Sequence, residues 1–271
     1  MKRVCVIIPM YGKEDYTRRC IEFVKESTKL NYVKIDIVVV DDGSKTPFVE
    51  KSVKVIRLNQ NTGFTNASNQ GILYALDYMG YEDGRKYDYI HLLNNDTEPF
   101  EGFIDHLLYK METDRSIAIA SSVRIHHKGG SYDAELYGID LIRGYQAVTK
   151  LENLKNETIE CNWVPLCSSL IRPSVIKEVG LLDKYMRNHS SDLDYCLRVK
   201  MAGYKIVVVT DSRVIHHHEV TTSEHKISPE QDQRVLLEKL TGLGYAQFMS
   251  RIPLDAESNT YGKLTFEVYK K

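Results

Sequence analysis

Two segments of the chain share one grammar: an otherwise apolar run that stops abruptly in carboxylates or amides. Val38-Val39-Val40 leads into Asp41-Asp42-Gly43-Ser44, and Ile90-His91-Leu92-Leu93 leads into Asn94-Asn95-Asp96-Thr97. Runs of this kind suit strands buried on both faces, and such strands belong to parallel sheets covered by helices. In those sheets the ligand crevice lies beyond the carboxyl ends of the strands. Two strands that each deliver acids or amides to that edge make one site able to grip a polar ligand and a hard cation.

The segments between these runs fit the same plan. Residues 3–8, 35–40, 54–58 and 87–93 read as strands, and 15–29 and 66–79 as helices. Strands alternating with helices at this spacing imply βαβ units and a mainly parallel central sheet, an α/β fold of Rossmann-like type. Beyond Thr97 the pattern predicts a helix over 103–112, a strand over 117–123 and ordered chain over 163–171. Helices over 173–179 and 193–202 and a strand over 206–209 follow. Residues 124–160 mix Gly, His, Tyr and charge without a period, which suits a variable excursion or a β-rich flap. After His225 the chain turns polar, with a helix over 233–240 and an edge strand over 264–269.

Composition narrows the class. With 42% hydrophobic and 27% charged residues, 271 residues are enough for one sizeable α/β domain with an appendage. A net charge of −1 gives no overall pull toward nucleic acid or acidic lipid. No apolar run reaches the roughly 20 residues that cross a bilayer, and the N-terminal apolar stretch is too short for a signal peptide. The five cysteines are odd in number and make no Cys-x-x-Cys pair, so buried free thiols in a reducing compartment are expected. These features place the protein in the cytoplasm, free or peripheral to a membrane.

Taken in order, several motifs resemble the family 2 glycosyltransferases, whose nucleotide-sugar-binding fold is called GT-A. Val6-Ile7-Ile8-Pro9-Met10-Tyr11 matches the family's first strand and turn, and Asp41-Asp42-Gly43-Ser44 its second. Asn61-Thr62-Gly63-Phe64 and Asn69-Gln70-Gly71-Ile72 match the following loop and helix. Leu93-Asn94-Asn95-Asp96-Thr97 stands where the family has its DXD-type motif. Gly180-Leu181-Leu182-Asp183, Asp192-Leu193-Asp194-Tyr195-Cys196-Leu197-Arg198, Ala202-Gly203-Tyr204 and Val214-Ile215-His216-His217 match its acceptor half. The resemblance covers residues 3–222. It implies a GT-A domain over 1–224, divided into a nucleotide-sugar half (1–97) and an acceptor half (98–224), with a C-terminal extension over 225–271.

The resemblance also distributes roles. A pyrimidine presents an N–H donor between carbonyls, which a carboxylate beside backbone amides can read. That role falls to Asp41 or Asp42, with Pro9 and Tyr11 lining the base and Gly63, Asn69 and Asn95 completing the nucleotide site. By composition alone, Asp-Asp-Gly-Ser is also a good turn. Asp96, Asn94 and His216 are the implied ligands of Mn²⁺ or Mg²⁺, with Asn94 standing where many relatives carry an acid. Adjacent side chains on extended chain point opposite ways, so within His216-His217-His218 only the first and third share a face. The implied catalytic base is Asp192, the Asp of a Glu-Asp pair whose Glu is replaced by Ser191. Ser190-Ser191-Asp192 is equally a good helix N-cap, and Asp194 is able either to face the site or to pair with Arg198 one turn on. Trp163, Cys167, Ser168 and Ser191 lie where relatives meet donor sugar and acceptor. Arg124, His126, His127, Lys128 and Arg143 offer either a basic face for an anionic acceptor or a solvated flap.

The expected activity is metal-dependent inverting transfer of a hexosyl or deoxyhexosyl unit from a nucleoside-diphosphate sugar to a hydroxyl. A UDP-sugar is favoured, and a dTDP-deoxysugar comes next. The acceptor is open among glycan, lipid-linked, peptide and other hydroxyl carriers, and the C-terminal extension leaves room for a homodimer interface. Two rivals stand beside this expectation. A sugar nucleotidyltransferase would need a Gly-rich basic loop after the first strand, of which Pro9-Met10-Tyr11-Gly12-Lys13 is a poor version. A non-catalytic nucleotide-sugar-binding module is compatible with the acids missing at 94 and 191.

Overall fold

The structure, a computed structural model, describes residues 1–28, 32–77, 86–128, 131–138, 146–217 and 230–242. The first half runs β1 (Lys2–Met10), α1 (Glu14–Ser27), β2 (Val33–Asp41), β3 (Lys54–Arg57), α2 (Phe64–Asp77), β4 (Tyr89–Leu93), β5 (Thr97–Pro99) and α3 (Phe103–Thr113). It continues with β6 (Ile117–Lys128), β7 (Ser131–Gly138), β8 (Gln146–Lys150), a short 3-10 turn (Leu151–Asn153), β9 (Thr158–Cys161) and β10 (Ser168–Ile171). The described chain then closes with α4 (Pro173–Val179), α5 (Ser191–Met201), β11 (Lys205–His216) and α6 (Glu230–Gly242).

These strands form a single sheet in the order β3-β2-β1-β4-β10-β6-β11-β5, with β7 and β8 extending from β6 and β9 lying on β11. From β3 to β4 every pairing is parallel, in keeping with the largely apolar, doubly buried runs of β1, β2 and β4. Strand β10 then enters antiparallel between β4 and β6. Beyond it β6 and β11 run parallel to each other, so the second half of the sheet is mixed.

Alternation along β1 explains how the sheet carries helices on both faces. Val4, Val6, Ile8 and Met10 pack with Cys20, Ile21 and Val24 of α1 and with Phe103, Ile104 and Leu107 of α3. Cys5 and Ile7 point the other way, into a core shared with Ala67 and Ile72 of α2, Val175 of α4, Leu193 of α5 and Leu236 and Leu240 of α6. With side chains of a strand alternating between faces, each buried strand serves two hydrophobic layers. All five cysteines are free and buried, four of them within these layers.

The excursion over 124–160 takes one of its two expected forms, a β-rich flap: β6 runs on to Lys128, and β7 and β8 pair antiparallel beside it. Its mixed composition follows from strands covered on one face only. Other elements differ from the sequence expectation. The last strand is much longer than 206–209 and takes in His216, with a register shift between Val209 and Arg213. Helix α5 begins at Ser191, ahead of the apolar periodicity that marks its body. Within the extension, α6 is the described part; the expected strand over 264–269, Arg143 and His218 lie outside the described residues.

Candidate functional site

Strands β1, β2, β4, β6 and β11 all bring their carboxyl ends to one edge of the sheet. At that edge β4 gives way to Asn94, whose backbone N–H donates to the carbonyl of Cys167 at 2.9 Å, just before the oppositely running β10. Strand β5 then turns back against β11 and pairs Thr97 with His216. This register sets the imidazole beside the preceding residue: His216 Nε2 lies 3.3 Å from Asp96 Oδ1 and 3.3 Å from Asn94 Nδ2. All three groups are largely withdrawn from solvent. The Asn94 Oδ1 is buried and has no hydrogen-bond partner among the described residues. His217 diverges as alternation requires, and its Nε2 meets Glu98 at 2.9 Å while its ring packs edge-on to Tyr16. Among the described residues no three His, Cys, Asp or Glu side chains form a metal cage. The cluster is therefore two strong ligands and one amide.

On the β2 side both carboxylates are engaged in shaping loops. Asp41 accepts from the backbone N–H groups of Ser44 (2.9 Å) and Phe48 (3.0 Å), and pairs with Arg57. Burial alone would raise its pKa, but hydrogen bonds from Ser44 and Phe48 and the Arg57 charge outweigh it and hold the group below the usual range. Asp42 accepts from Thr62 N (2.8 Å), Thr62 Oγ1 (2.6 Å) and Gly63 N (2.8 Å). There burial wins, and the pKa is raised. A carboxylate offers about four acceptor positions: fully buried Asp41 fills them with the Ser44 N–H and hydroxyl, the Phe48 N–H and Arg57, whereas Asp42 keeps about one for a ligand. Pro9 is buried and Tyr11 partly exposed at the adjoining end of β1. Gly63 has φ +92°, and a Cβ there would stand 2.3 Å from the Arg187 side chain, so only glycine fits this turn.

The third group of residues gathers at the start of α5. Asp192 is partly exposed in its first turn, and its Oδ1 accepts from Leu193 N at 2.8 Å. It is not the N-cap; that position is Ser190, at φ 63°, with no side-chain capping bond. Burial raises the pKa of Asp192, against lowering by N–H groups of its own turn and by the charges of Arg124 and His189. Asp194 faces elsewhere. Fully buried, it pairs with Arg198 at 2.9 Å and with Lys239 of α6 at 2.5 Å. Of the two acids, only Asp192 is available to a ligand.

Cys167, whose carbonyl accepts from Asn94 N, is buried. Burial pushes its thiol up to about 11, and it senses Arg124, Asp96, Glu135 and Asp192 in turn. Arg124 does not open a basic face, since it is 4% exposed and lies 3.5 Å from Glu135, which also meets His126 at 3.6 Å.

Other expected site residues are held by the fold. Asn69 bridges to Leu182 through both amide atoms (2.8 and 3.1 Å), locking α2 to the loop after α4. Asn95 donates to Thr17 of α1 at 3.1 Å. Ser168 is fully buried, and its Oγ lies 2.8 Å from Ser122 Oγ and 3.3 Å from His91 Nε2, inside the sheet. Ser191 Oγ accepts from Thr65 at 2.8 Å. Trp163 is buried against Gly138, where a Cβ would overlap its ring, and its Nε1 has no partner among the described residues. Sequence reading passed over Asn188, whose Oδ1 accepts from Phe64 N at 3.1 Å, and Asp232 of α6. Neither carries a motif signal; both act through loop geometry.

The family model described as "Glycosyl transferase family 2" matches residues 5–180. An uncharacterized glycosyltransferase of Rickettsia typhi is 26% identical over 96% of this chain and 81% of its own length. Glycosyltransferase GlyG of Streptococcus pneumoniae is 24% identical over 55% of this chain and 49% of its own. In shape, the chain matches a crystal structure of GalNAc-T7 with UDP, GalNAc and Mn²⁺ at TM-score 0.67 and 16% identity. That match covers 99% of this chain and about half, 55%, of the other. The architecture is thus the GT-A fold expected from the motifs.

Proposed function

The chain belongs to the family 2 glycosyltransferases, and from that premise we propose that it catalyses metal-dependent, inverting sugar transfer from a UDP-sugar to a hydroxyl acceptor. Residues 1–97 would hold the nucleotide and 98–224 the acceptor. The single observation that carries this reading is the cluster at the sheet edge, where His216 Nε2 lies within 3.3 Å of Asp96 and Asn94. UDP is preferred over dTDP because the fold relative was crystallised with UDP and Mn²⁺.

The donor set fits a divalent ion that shares its coordination with diphosphate. Asp96 Oδ1 and His216 Nε2, 3.3 Å apart, are close enough that both would be able to hold one divalent ion. The unpartnered Asn94 Oδ1 supplies a neutral oxygen beside them. Mn²⁺ accepts the same mixture of imidazole and oxygen. Asp96, His216 and Asn94 would hold the ion, which when bound supplies Lewis acidity to the departing diphosphate.

The chain's own residues account for the rest. Asp42 reads the base with its remaining acceptor position while Asp41 shapes the loop beside it, and Pro9 and Tyr11 flank the ring. Asp192 accepts the proton of the acceptor hydroxyl as that oxygen attacks the anomeric carbon; the bond to the diphosphate oxygen breaks on the opposite side, so configuration inverts in one displacement. A pKa raised by burial makes Asp192 a stronger base than an exposed Asp. A panel of UDP- and dTDP-sugars, assayed for transfer and hydrolysis with and without Mn²⁺, tests the proposal. Turnover that persists at full rate in EDTA would sink the metal assignment, and nucleotide binding without any turnover would favour a binding module.

A further inference from the structure

Helix α6 lies beyond the 5–180 span that the family model matches, yet it reaches into the neighbourhood of Asp192 at three points. Asp232, only 3% exposed, accepts three consecutive backbone N–H groups: Arg187 at 2.9 Å, Asn188 at 2.7 Å and His189 at 2.8 Å. Successive N–H groups converging on one anion form a nest, and hydrogen bonds to a charged acceptor are about twice as strong as neutral ones. Lys239, two turns further along α6, joins Asp183 at 2.7 Å and Asp194 at 2.5 Å. Those two acids stand on either side of the 187–189 loop.

The loop so gripped is connected to both halves of the site. Arg187 O accepts from Thr65 N (3.0 Å), and Asn188 Oδ1 accepts from Phe64 N (3.1 Å), so it completes the first turn of α2. The Arg187 guanidinium donates to Asn61 O at 2.9 Å, next to the Thr62-Gly63 pair bound by Asp42. On its other side the loop ends at Ser190, a non-glycine residue at φ 63° from which α5 and Asp192 start. A left-handed Ser persists only where its surroundings over-determine the backbone.

We propose that α6 is a positioning element of the transfer site, with Asp232 as the positioning residue that sets loop 187–190 and, through it, the placement of Asp192 against the donor loop. The inference rests on the role assigned to Asp192 above. Asp232 touches no substrate; it fixes the backbone from which the base projects. A misplacement of about 1 Å can cost about 10²-fold in rate, so small disorder in this loop has a large effect on turnover and little on donor binding.

The test uses the full chain with Asp232→Asn and Lys239→Met, and Lys239→Arg as the conservative control. Asp232→Asn keeps the size but sets an amide N–H₂ against donors. Expected are kcat lowered about 10–100-fold, free UDP affinity and donor KM within about twofold, and faster hydrogen exchange at amides 187–189 with none at β1–β4. Lys239→Met should follow the same pattern and Lys239→Arg recover most of it. Wild-type kcat despite exposed amides would overturn the proposal, as would loss of UDP affinity equal to the loss of kcat. Should Asp232→Asn fail to fold, Lys239→Met against Lys239→Arg decides by the same readouts. A wild-type chain without transfer to any acceptor would fell the functional reading itself, while unchanged amide exchange in both variants would fell the clamp alone.

Discussion

Replacing Asp192 by Asn separates catalysis from folding. The side chain keeps its shape and an oxygen for the Leu193 N–H, which donates to it at 2.8 Å. Two opposing effects act on stability. A carboxylate in the first turn of α5 gains about 0.3–1 kcal/mol from the helix dipole, and Asn gives that up. Against this, burial raises the pKa of Asp192. A folded-state pKa above the unfolded value means the folded form binds the proton more tightly, so ionisation at neutral pH costs stability that a neutral Asn does not lose. The net change stays within about 1 kcal/mol, or about 2–4 °C in Tm for a domain of this size. Catalysis has no such compensation: losing a general base costs about 10²–10⁴-fold, or about 2.7–5.4 kcal/mol of barrier. Steady-state transfer at saturating donor, UDP calorimetry and a thermal melt read the three quantities separately. In the wild type, kcat/KM should fall as pH drops through the raised pKa of Asp192, and the variant should lack that limb. Near wild-type transfer by Asp192→Asn, or a rate loss matched by a large drop in Tm, would refute the assignment.

Other expectations follow from the same geometry. His216→Ala should abolish metal-stimulated transfer while His217→Ala, whose ring turns to Glu98 and Tyr16, should cost less than about tenfold; equal losses in a transfer assay would contradict the ligand set. Asn94→Asp adds a charged oxygen beside His216, so Mn²⁺ titration should show tighter binding than wild type, and an unchanged Kd would remove Asn94 from the site. His91, buried and held down to about 3 by desolvation, is neutral when folded. Its depressed pKa gives stability that is complete above about 6.5 and lost progressively as pH falls toward 3. Urea unfolding across that range should therefore be flatter for His91→Gln, and an identical slope would show that His91 does not set the acid limb.

Much of the first half was legible because one physical rule governs it. Strands buried on both faces must be apolar throughout, so β1, β2 and β4 announce themselves and end where Asp41 and Asn94 begin. The pairing of Asp194 with Arg198 was one of two readings open to a one-turn spacing, and the structure places it at 2.9 Å. What sequence could not supply was register. Strand β5 is only three residues long, too short for a periodic signal, yet its pairing with β11 is what carries His216 to Asp96. Asp232 was silent for a related reason: nothing in a polar helix tells which backbone, more than forty residues earlier, its carboxylate will meet.

The two positions that depart from the family pattern then have different consequences. At 191 the missing Glu does not leave a gap, because the Ser hydroxyl accepts from Thr65 and ties the first turn of α5 to α2. A Ser here also spares Asp192 a neighbouring charge that would raise its pKa further. At 94 the Asn would lower the negative charge facing the proposed ion while keeping an oxygen in place, and His216 stands beside it. A site with one carboxylate binds its ion more weakly in the absence of nucleotide, since the diphosphate must complete the charge as well as the coordination. With Asp96, Asn94 and His216 as the proposed ligands, metal and donor would therefore bind together, and residue 94 would set that coupling.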